Sequence, residues 1–232
     1  MIDKPWLNSY PEGVSPNIKI DEFSSLVDMF DKTCDRFSEK HAFTNFGRSL
    51  SFKHLKTHVD YLASFLSNHL NLKKGDSVAI MMPNLFQYPI CVYAILKANL
   101  IVENINPLFT ERELEIQLRD SQSKAIIILD TFAQVLSKIK GNTSIEHVVV
   151  TTMGDMLGAK GHLINFIIKY IKKMVPSYDQ TNSYKFKTAL AIGSISAPKE
   201  TDIEKYDTAF LQYTGGTTGT VKAAMLSHSN II

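Results

Sequence analysis

The chain has 232 residues, 44% of them apolar, and 25 basic against 23 acidic side chains for a net charge of +2. Those values describe a globular protein of one or two domains with a sizeable core, and they exclude a disordered chain. With no basic patch interleaved with aromatics, they also argue against nucleic acid as a partner. The opening MIDKPWLNSYPEG lacks the charged-then-apolar order of a secretory signal, so a cytoplasmic location is expected.

Residues 25–37 put Leu26, Val27, Phe30, Cys34 and Phe37 on one helical face, and 54–70 do the same with Leu55, Val59, Leu62, Leu66 and Leu70. Between them, 42–46 and 49–52 flank Gly47-Arg48, which fits a two-residue hairpin turn. From Val78 the pattern becomes regular. A strand at 78–82, a helix over 87–99 and a strand at 101–105 precede a helix from Glu111. A strand at 125–129, a short helix and a strand at 147–151 complete the run. Such alternation predicts an α/β fold with a parallel sheet wrapped by helices.

Several polar residues along this stretch are explained by structure alone. Thr110 and Glu113, three apart, form a capping box for the helix from Glu111. Cys34 and Cys91 lie in helix-like apolar patterns with no His or Cys at metal-ligand spacing, which predicts packed, reduced thiols. His41, His54, His58, His69 and His147 show no metal spacing apart from His54 and His58 at i, i+4, a pair predicted to face solvent.

Residues 154–178, GDMLGAKGHLINFIIKYIKKMVPSY, stand apart. On a helix, Asn165, Lys169, Lys172 and Lys173 share one face while Leu163, Ile164, Phe166, Ile167, Ile168, Ile171 and Met174 cover the rest. The run is too short and too charged to span a bilayer. Two readings stand: a helix lying at a membrane interface through 163–175, and a core helix with one solvated lysine edge.

The most specific segment is 213–226, YTGGTTGTVKAAML, which follows the apolar Ala209, Phe210 and Leu211 of a predicted buried strand. Glycines let backbone N–H groups approach a ligand, threonine hydroxyls add neutral donors, and a lysine supplies positive charge, so this is the chemistry of a phosphate cradle at a strand's carboxyl end. Spacing excludes two familiar loops. Lys222 is preceded by Val221 and followed by Ala223 rather than by Gly and Ser or Thr, and Gly215, Gly216 and Gly219 do not match G-x-G-x-x-G. A flexible Gly/Thr turn without a ligand is the bland alternative.

The string YTGGTTGxxKxAML, followed by Ser227-His228-Ser229-Asn230, resembles the phosphate loop of adenylate-forming enzymes. SLSFKHLKTHVDYLASFL at 49–66, KKGDSVAIMMPNLFQYP at 73–89 and LKANLIVENINP at 96–107 resemble further core segments of that superfamily. With WLNSYPEGV at 6–14, the likeness is to bacterial long-chain fatty acid CoA ligases and runs along essentially the whole chain. It departs at Ala223, where the family usually has glycine, and the methyl group matters only if that position needs a left-handed backbone or close ligand approach.

The resemblance implies that 1–232 is the first part of a large N-terminal AMP-binding domain, ending just after the phosphate loop. It implies binding of ATP by Tyr213, Thr214, Gly215, Gly216, Thr217, Thr218, Gly219, Thr220, Val221, Lys222, Ala223 and Ala224, with Lys222 in the catalytic role. It also implies Mg2+ contacted by one threonine among Thr214, Thr217 and Thr218, coenzyme A as cosubstrate and a fatty acid as the acid activated. His228 matches a histidine common after the loop, expected to pack or to line the substrate pocket. The adenine, ribose and most acyl contacts and a C-terminal domain would lie beyond Ile232, so residues 1–232 alone are expected to be inactive. Peripheral attachment to the inner face of the cell membrane accompanies this reading, and an oligomer is compatible with it. Alternatives are another adenylate-former, with a different acid or a carrier-protein acceptor, and a non-catalytic binding module.

Overall fold

The computed structural model describes residues 4–17, 22–214 and 222–232. Helix α1 (Leu26–Arg36) starts where the Ser25 hydroxyl accepts the Asp28 N–H, and it buries Leu26, Val27, Phe30 and Cys34. Strands β1 (His41–Asn45) and β2 (Arg48–Ser51) form a hairpin whose turn residues are Phe46 and Gly47, since Asn45 pairs with Arg48. The turn therefore sits one residue earlier than expected. Both turn residues have positive φ, 49° and 71°, as a two-residue turn matched to the strand twist requires. Helix α2 (Phe52–Ser64) follows and runs on through a π-helical turn, Phe65–His69.

The main sheet has seven strands: β3 (Ser77–Met81), β4 (Ile101–Asn104), β5 (Ala125–Leu129), β6 (His147–Thr151), β7 (Ser183–Lys185), β8 (Thr208–Thr214) and β9 (Lys222–Ser227). Their order is β7-β6-β5-β3-β4-β8-β9. Every neighbouring pair is parallel except β8 and β9, which are antiparallel, so the expected parallel sheet is a mixed one. Ala223 to Leu226, read as an apolar run after the loop, belong to β9 and pair with Tyr213 to Phe210.

Helices cover both faces. On one, α1, α2, α3 (Gln87–Lys97) and α7 (Phe186–Gly193) pack with Val78, Ile80, Val102, Ile127 and Val149. On the other, α4 (Glu111–Ser121) and α5 (Ala133–Ile139) pack with Ala79, Met81, Ile126 and Ile128. The crossover from β3 to β4 runs over the first face, and that from β4 to β5 over the second. The chain thus leaves β3 toward β4 and leaves β5 toward β6, so the strand order reverses between the adjacent strands β3 and β5, where such sheets open a crevice at their carboxyl ends. The Thr110–Glu113 capping box is formed, with Glu113 accepting the Thr110 N–H at 2.8 Å. Cys34 and Cys91 are buried free thiols, and burial pushes the first up to about 11.

Gly193 ends α7 against the backbone of α2, where an added Cβ would run into the carbonyl oxygen of Tyr61 and lie 3.0 Å from the Phe65 nitrogen. Both obstacles are backbone, so neither can rotate away. Gly193→Ala is expected to lower stability by about 1–3 kcal/mol, the usual range for overpacking a filled core, and chemical denaturation would measure it. An unchanged unfolding midpoint would mean that α2 and α7 separate more readily than this contact implies.

Candidate functional site: the β8–β9 hairpin and the helix after β6

Strand β8 leaves the sheet beside β4, with Val102 opposite Phe210 and Glu103 opposite Leu211. It ends at Tyr213 and Thr214, which pair across β9 with Ala223 and Lys222. Residues 215–221 join the two strands. Gly215, Gly216, Thr217, Thr218, Gly219, Thr220 and Val221 lie outside the described residues, so the structure places only the two stems of the expected cradle. Thr214, Lys222 and Ala224 are exposed, and Tyr213 and Ala223 are partly buried. Lys222 makes no ion pair with another described residue, so its charge is available. Ala223 lies within β9 and is not among the residues with positive φ, so its methyl group carries no backbone penalty there. Of the strand read as buried, only Ala209 is fully so; Phe210 and Leu211 are half-covered.

Tyr213 has a partner that its position in the sequence does not suggest. Its hydroxyl donates to Asp120 Oδ2 at 2.6 Å, from β8 to the last turn of α4. Burial and the neighbouring Asp120 carboxylate raise the phenol's pKa, which keeps the donor proton in place. On the same face of the sheet Glu103 is completely buried. Its Oε1 accepts from Gln117 Nε2 at 2.9 Å, and its Oε2 bonds Ser123 Oγ, which in turn meets Ser77 Oγ at 2.8 Å. Burial pushes this carboxyl up, against the opposing pull of the Ser123 and Gln117 donors.

On the opposite face, next to the start of α3, an apolar cavity of about 500 Å³ opens between the β1–β2 hairpin and β8, lined by Phe43, Leu85, Phe86, Val92, Tyr93 and Phe210 among others. Tyr88, also in its wall, donates to Asn104 Oδ1 at the end of β4. His228 is buried, and its Nδ1 accepts the Leu26 N–H at the start of α1, 3.2 Å away. Burial lowers its pKa, which favours the neutral ring this bond needs, so His228 takes the packing role, one of the two expected for it. His54 is exposed as expected, but His58 is half-buried and its pKa is lowered by that burial.

After β6 the chain forms α6 (Ala159–Phe166) and continues through a π-helical turn, Ile167–Ile171. Asn165 does not belong to a solvated basic stripe. Its Oδ1 accepts the Gly154 N–H at 2.7 Å and its Nδ2 donates to Thr152 Oγ1 at 2.8 Å, which fastens the helix to the end of β6. Gly154 and Gly161 touch backbone to backbone at the same place. Held by that edge, the helix turns Leu163 (61% exposed), Phe166 (53%), Tyr170 (60%), Ile171 (62%) and Met174 (52%) to solvent. Lys169, Lys172 and Lys173 are exposed beside them. Among the described residues nothing covers this face, while Ile164 of the same helix packs against the core. Among the described residues no helix is long and apolar enough to cross a membrane.

The family model of the AMP-binding enzymes matches residues 30–232. The chain belongs to the AMP-binding enzyme family. It is 47% identical over 230 residues to the long-chain-fatty-acid–CoA ligase of Escherichia coli O157:H7, covering 99% of this chain and 41% of that protein. It is 44% identical over 232 residues to the ligase of the same name from Haemophilus influenzae, again 41% of the relative's length. This AMP-binding chain therefore spans about two-fifths of the curated relatives it matches. Among solved structures it superposes on an anthranilate CoA ligase in complex with anthranoyl-AMP with a TM-score of 0.73 at 19% identity, over 91% of this chain and 37% of that one. A long-chain-fatty-acid-CoA ligase from Archaeoglobus fulgidus gives 0.70 at 24% identity, over 92% and 38%. These two likenesses establish the fold.

The buried Glu103 generates a pH dependence with a definite sign. Its folded-state pKa lies above the ordinary 4.5, so the folded chain holds a proton that the unfolded chain has released. Its contribution is fully present below 4.5 and is lost as pH rises through the folded value. Glu103→Gln keeps the size and the acceptor for Gln117 but cannot ionise. The variant should show a flatter melting-temperature profile and exceed the wild type at the high end. Parallel profiles would show that Glu103 titrates as an ordinary exposed carboxyl.

Proposed function

We propose that the protein activates long-chain fatty acids, forming an acyl adenylate from ATP and passing the acyl group to coenzyme A. What supports the substrate class is similarity along nearly the whole chain to ligases of that specificity. The bound nucleotide supplies the α-phosphorus that a fatty acid carboxylate attacks with loss of pyrophosphate, and the coenzyme A thiol then displaces AMP. A carboxylate is a weak nucleophile, so the protein's part is positioning and charge neutralisation rather than covalent catalysis.

The described residues fit the two ends of a phosphate site. Thr214 offers an exposed hydroxyl and Lys222, its cross-strand partner, an uncommitted positive charge at the carboxyl end of β8, the strand beside β4. Lys222 offsets charge that builds on the departing pyrophosphate. Gly215 through Val221, between them, contribute backbone N–H and hydroxyl donors in this proposal, and Ala223 and Ala224 hold the β9 side of the stem. Magnesium belongs to the same proposal, and of its candidate contacts only Thr214 lies among the described residues.

The exposed face of α6 and its continuation gives the enzyme a way to reach substrates that partition into lipid. Five large apolar side chains flanked by three lysines suit an anionic bilayer surface, where each lysine contributes about 1 kcal/mol and the apolar contacts add a hydrophobic term. This complementarity of charge favours a membrane over a protein partner.

Two measurements test the proposal in the full-length enzyme. Lys222→Ala should reduce fatty acyl-adenylate formation roughly a hundredfold, the scale on which transition-state charge contacts act. Unchanged adenylation would remove this lysine from the phosphate site. In co-sedimentation, the wild type should pellet with anionic vesicles and be released by salt, while the Lys169→Glu, Lys172→Glu, Lys173→Glu triple variant should stay in the supernatant. Equal partitioning would show that the exposed face meets something other than a charged bilayer.

A further inference from the structure

We propose that Asp120 is a positioning residue for ATP, acting through the hydroxyl of Tyr213 to set the direction in which β8 delivers the chain to the phosphate site. The inference rests on the assignment of ATP to that site and deepens it with a residue 93 positions away in sequence.

Strand periodicity places Tyr213 on the same face as Leu211, which lies opposite Glu103 across the β4–β8 pair. That face is the one α4 covers. The last turns of α4 reach two adjacent strands at once. Gln117 donates to Glu103 on β4, and Asp120, three residues on, accepts from Tyr213 on β8. The end of β8 pairs with β9, but the β8–β9 hairpin is joined to β4 through only two residue pairs, Val102–Phe210 and Glu103–Leu211. A phenol tied at 2.6 Å to α4 adds a second link between that hairpin and the rest of the fold.

Among the described residues Tyr213 is the one hydrogen-bond partner of the Asp120 carboxylate, which makes no ion pair. It sits one residue from the end of α4, where the helix presents its partially negative pole and a carboxylate is disfavoured. Its neighbour Arg119 is directed to Glu115, one turn back, at 3.8 Å. Ser121, which follows it, donates to the Leu118 carbonyl and to Ser123, so local capping is satisfied without Asp120. The acid is held where the helix disfavours it, and the hydroxyl of Tyr213 is the group that answers it.

The test uses the full-length enzyme and two readouts: affinity for a non-hydrolysable ATP analogue without fatty acid, and the Michaelis constants of the complete reaction. Asp120→Ala and Tyr213→Phe are each expected to weaken nucleotide binding about tenfold, as for loss of a charge-assisted hydrogen bond at a partly exposed site. Asp120→Asn, which keeps an acceptor oxygen, should stay within about threefold of wild type. The Tyr213→Phe/Asp120→Ala double variant should bind no worse than the weaker single, because the two changes delete one interaction. Michaelis constants for fatty acid and coenzyme A should hold steady. Effects that multiply in the double variant, or a lowered melting temperature with unchanged ATP affinity, would overturn the proposal. A wild type that binds the nucleotide but activates no long-chain fatty acid would sink the substrate assignment while leaving the Asp120 comparison intact. Failure to bind nucleotide at all would sink both.

Discussion

A parallel strand in the centre of a sheet must be covered on both faces, and in this protein that requirement decides where everything else goes. β3 has a parallel neighbour on each side and is buried along its whole length. Covering it from both faces sends α3 over one side and α4 over the other, and the strand order reverses between β3 and β5. β8 then adds next to β4 rather than at the far edge. The described stems of the glycine- and threonine-rich segment therefore lie at the end of β8, with α4 beneath one of them. The place of the proposed phosphate site follows from strand order as much as from its own residues.

The same order explains the unusual environment of Glu103. Between Val102 and Asn104 an acid reads as the polar side of a half-exposed strand, yet β4 is enclosed by β3, β8 and α4, and no solvated side is left. Burying a carboxyl is tolerable when both oxygens are bonded, and Gln117 and Ser123 supply those bonds. Gln117 is itself fully enclosed on the inner side of an otherwise polar helix. A glutamine at a core-facing helical position and an acid in a central strand, taken together, were the available sequence signal for this pair.

How much of the fold could be read beforehand varied with how local its causes are. The continuous apolar runs AIIIL and HVVVT mark β5 and β6 to the residue, because a strand buried on both faces needs no alternation. The α4 capping box is equally local. β9 was not legible: Ala223, Ala224, Met225 and Leu226 have helical propensities, and only pairing with β8 across a seven-residue connection makes them a strand. The β1–β2 turn was misplaced by one residue because Phe46 adopts a left-handed conformation that its side chain does not favour, and the pairing of Asn45 with Arg48 imposes it. Asn165 matched the basic stripe by periodicity, whereas its two bonds to the end of β6 depend on a tertiary contact that periodicity cannot supply. At the proposed phosphate site, composition pointed to the segment and its lysine, while the Asp120 partner of Tyr213 is a contact between elements distant in sequence, which no local pattern signals.

The two regions to which functions are proposed both adjoin carboxyl ends of parallel strands. α6 is fastened to Thr152 and Gly154, just past the carboxyl end of β6, and the loop stem continues from the carboxyl end of β8. Along the sheet those strands are separated by β5, β3 and β4. Four strand spacings amount to roughly 19 Å, about the length of an extended long acyl chain. A bilayer meeting the apolar face of α6 would therefore lie near the edge at which ATP is proposed to bind, rather than behind the sheet. A fatty acid leaving the lipid at that edge would have a short path to the phosphate site, with its carboxylate leading and its tail trailing toward the membrane. If both proposals hold, the sheet between the two regions sets their separation, and no conformational link between them is required.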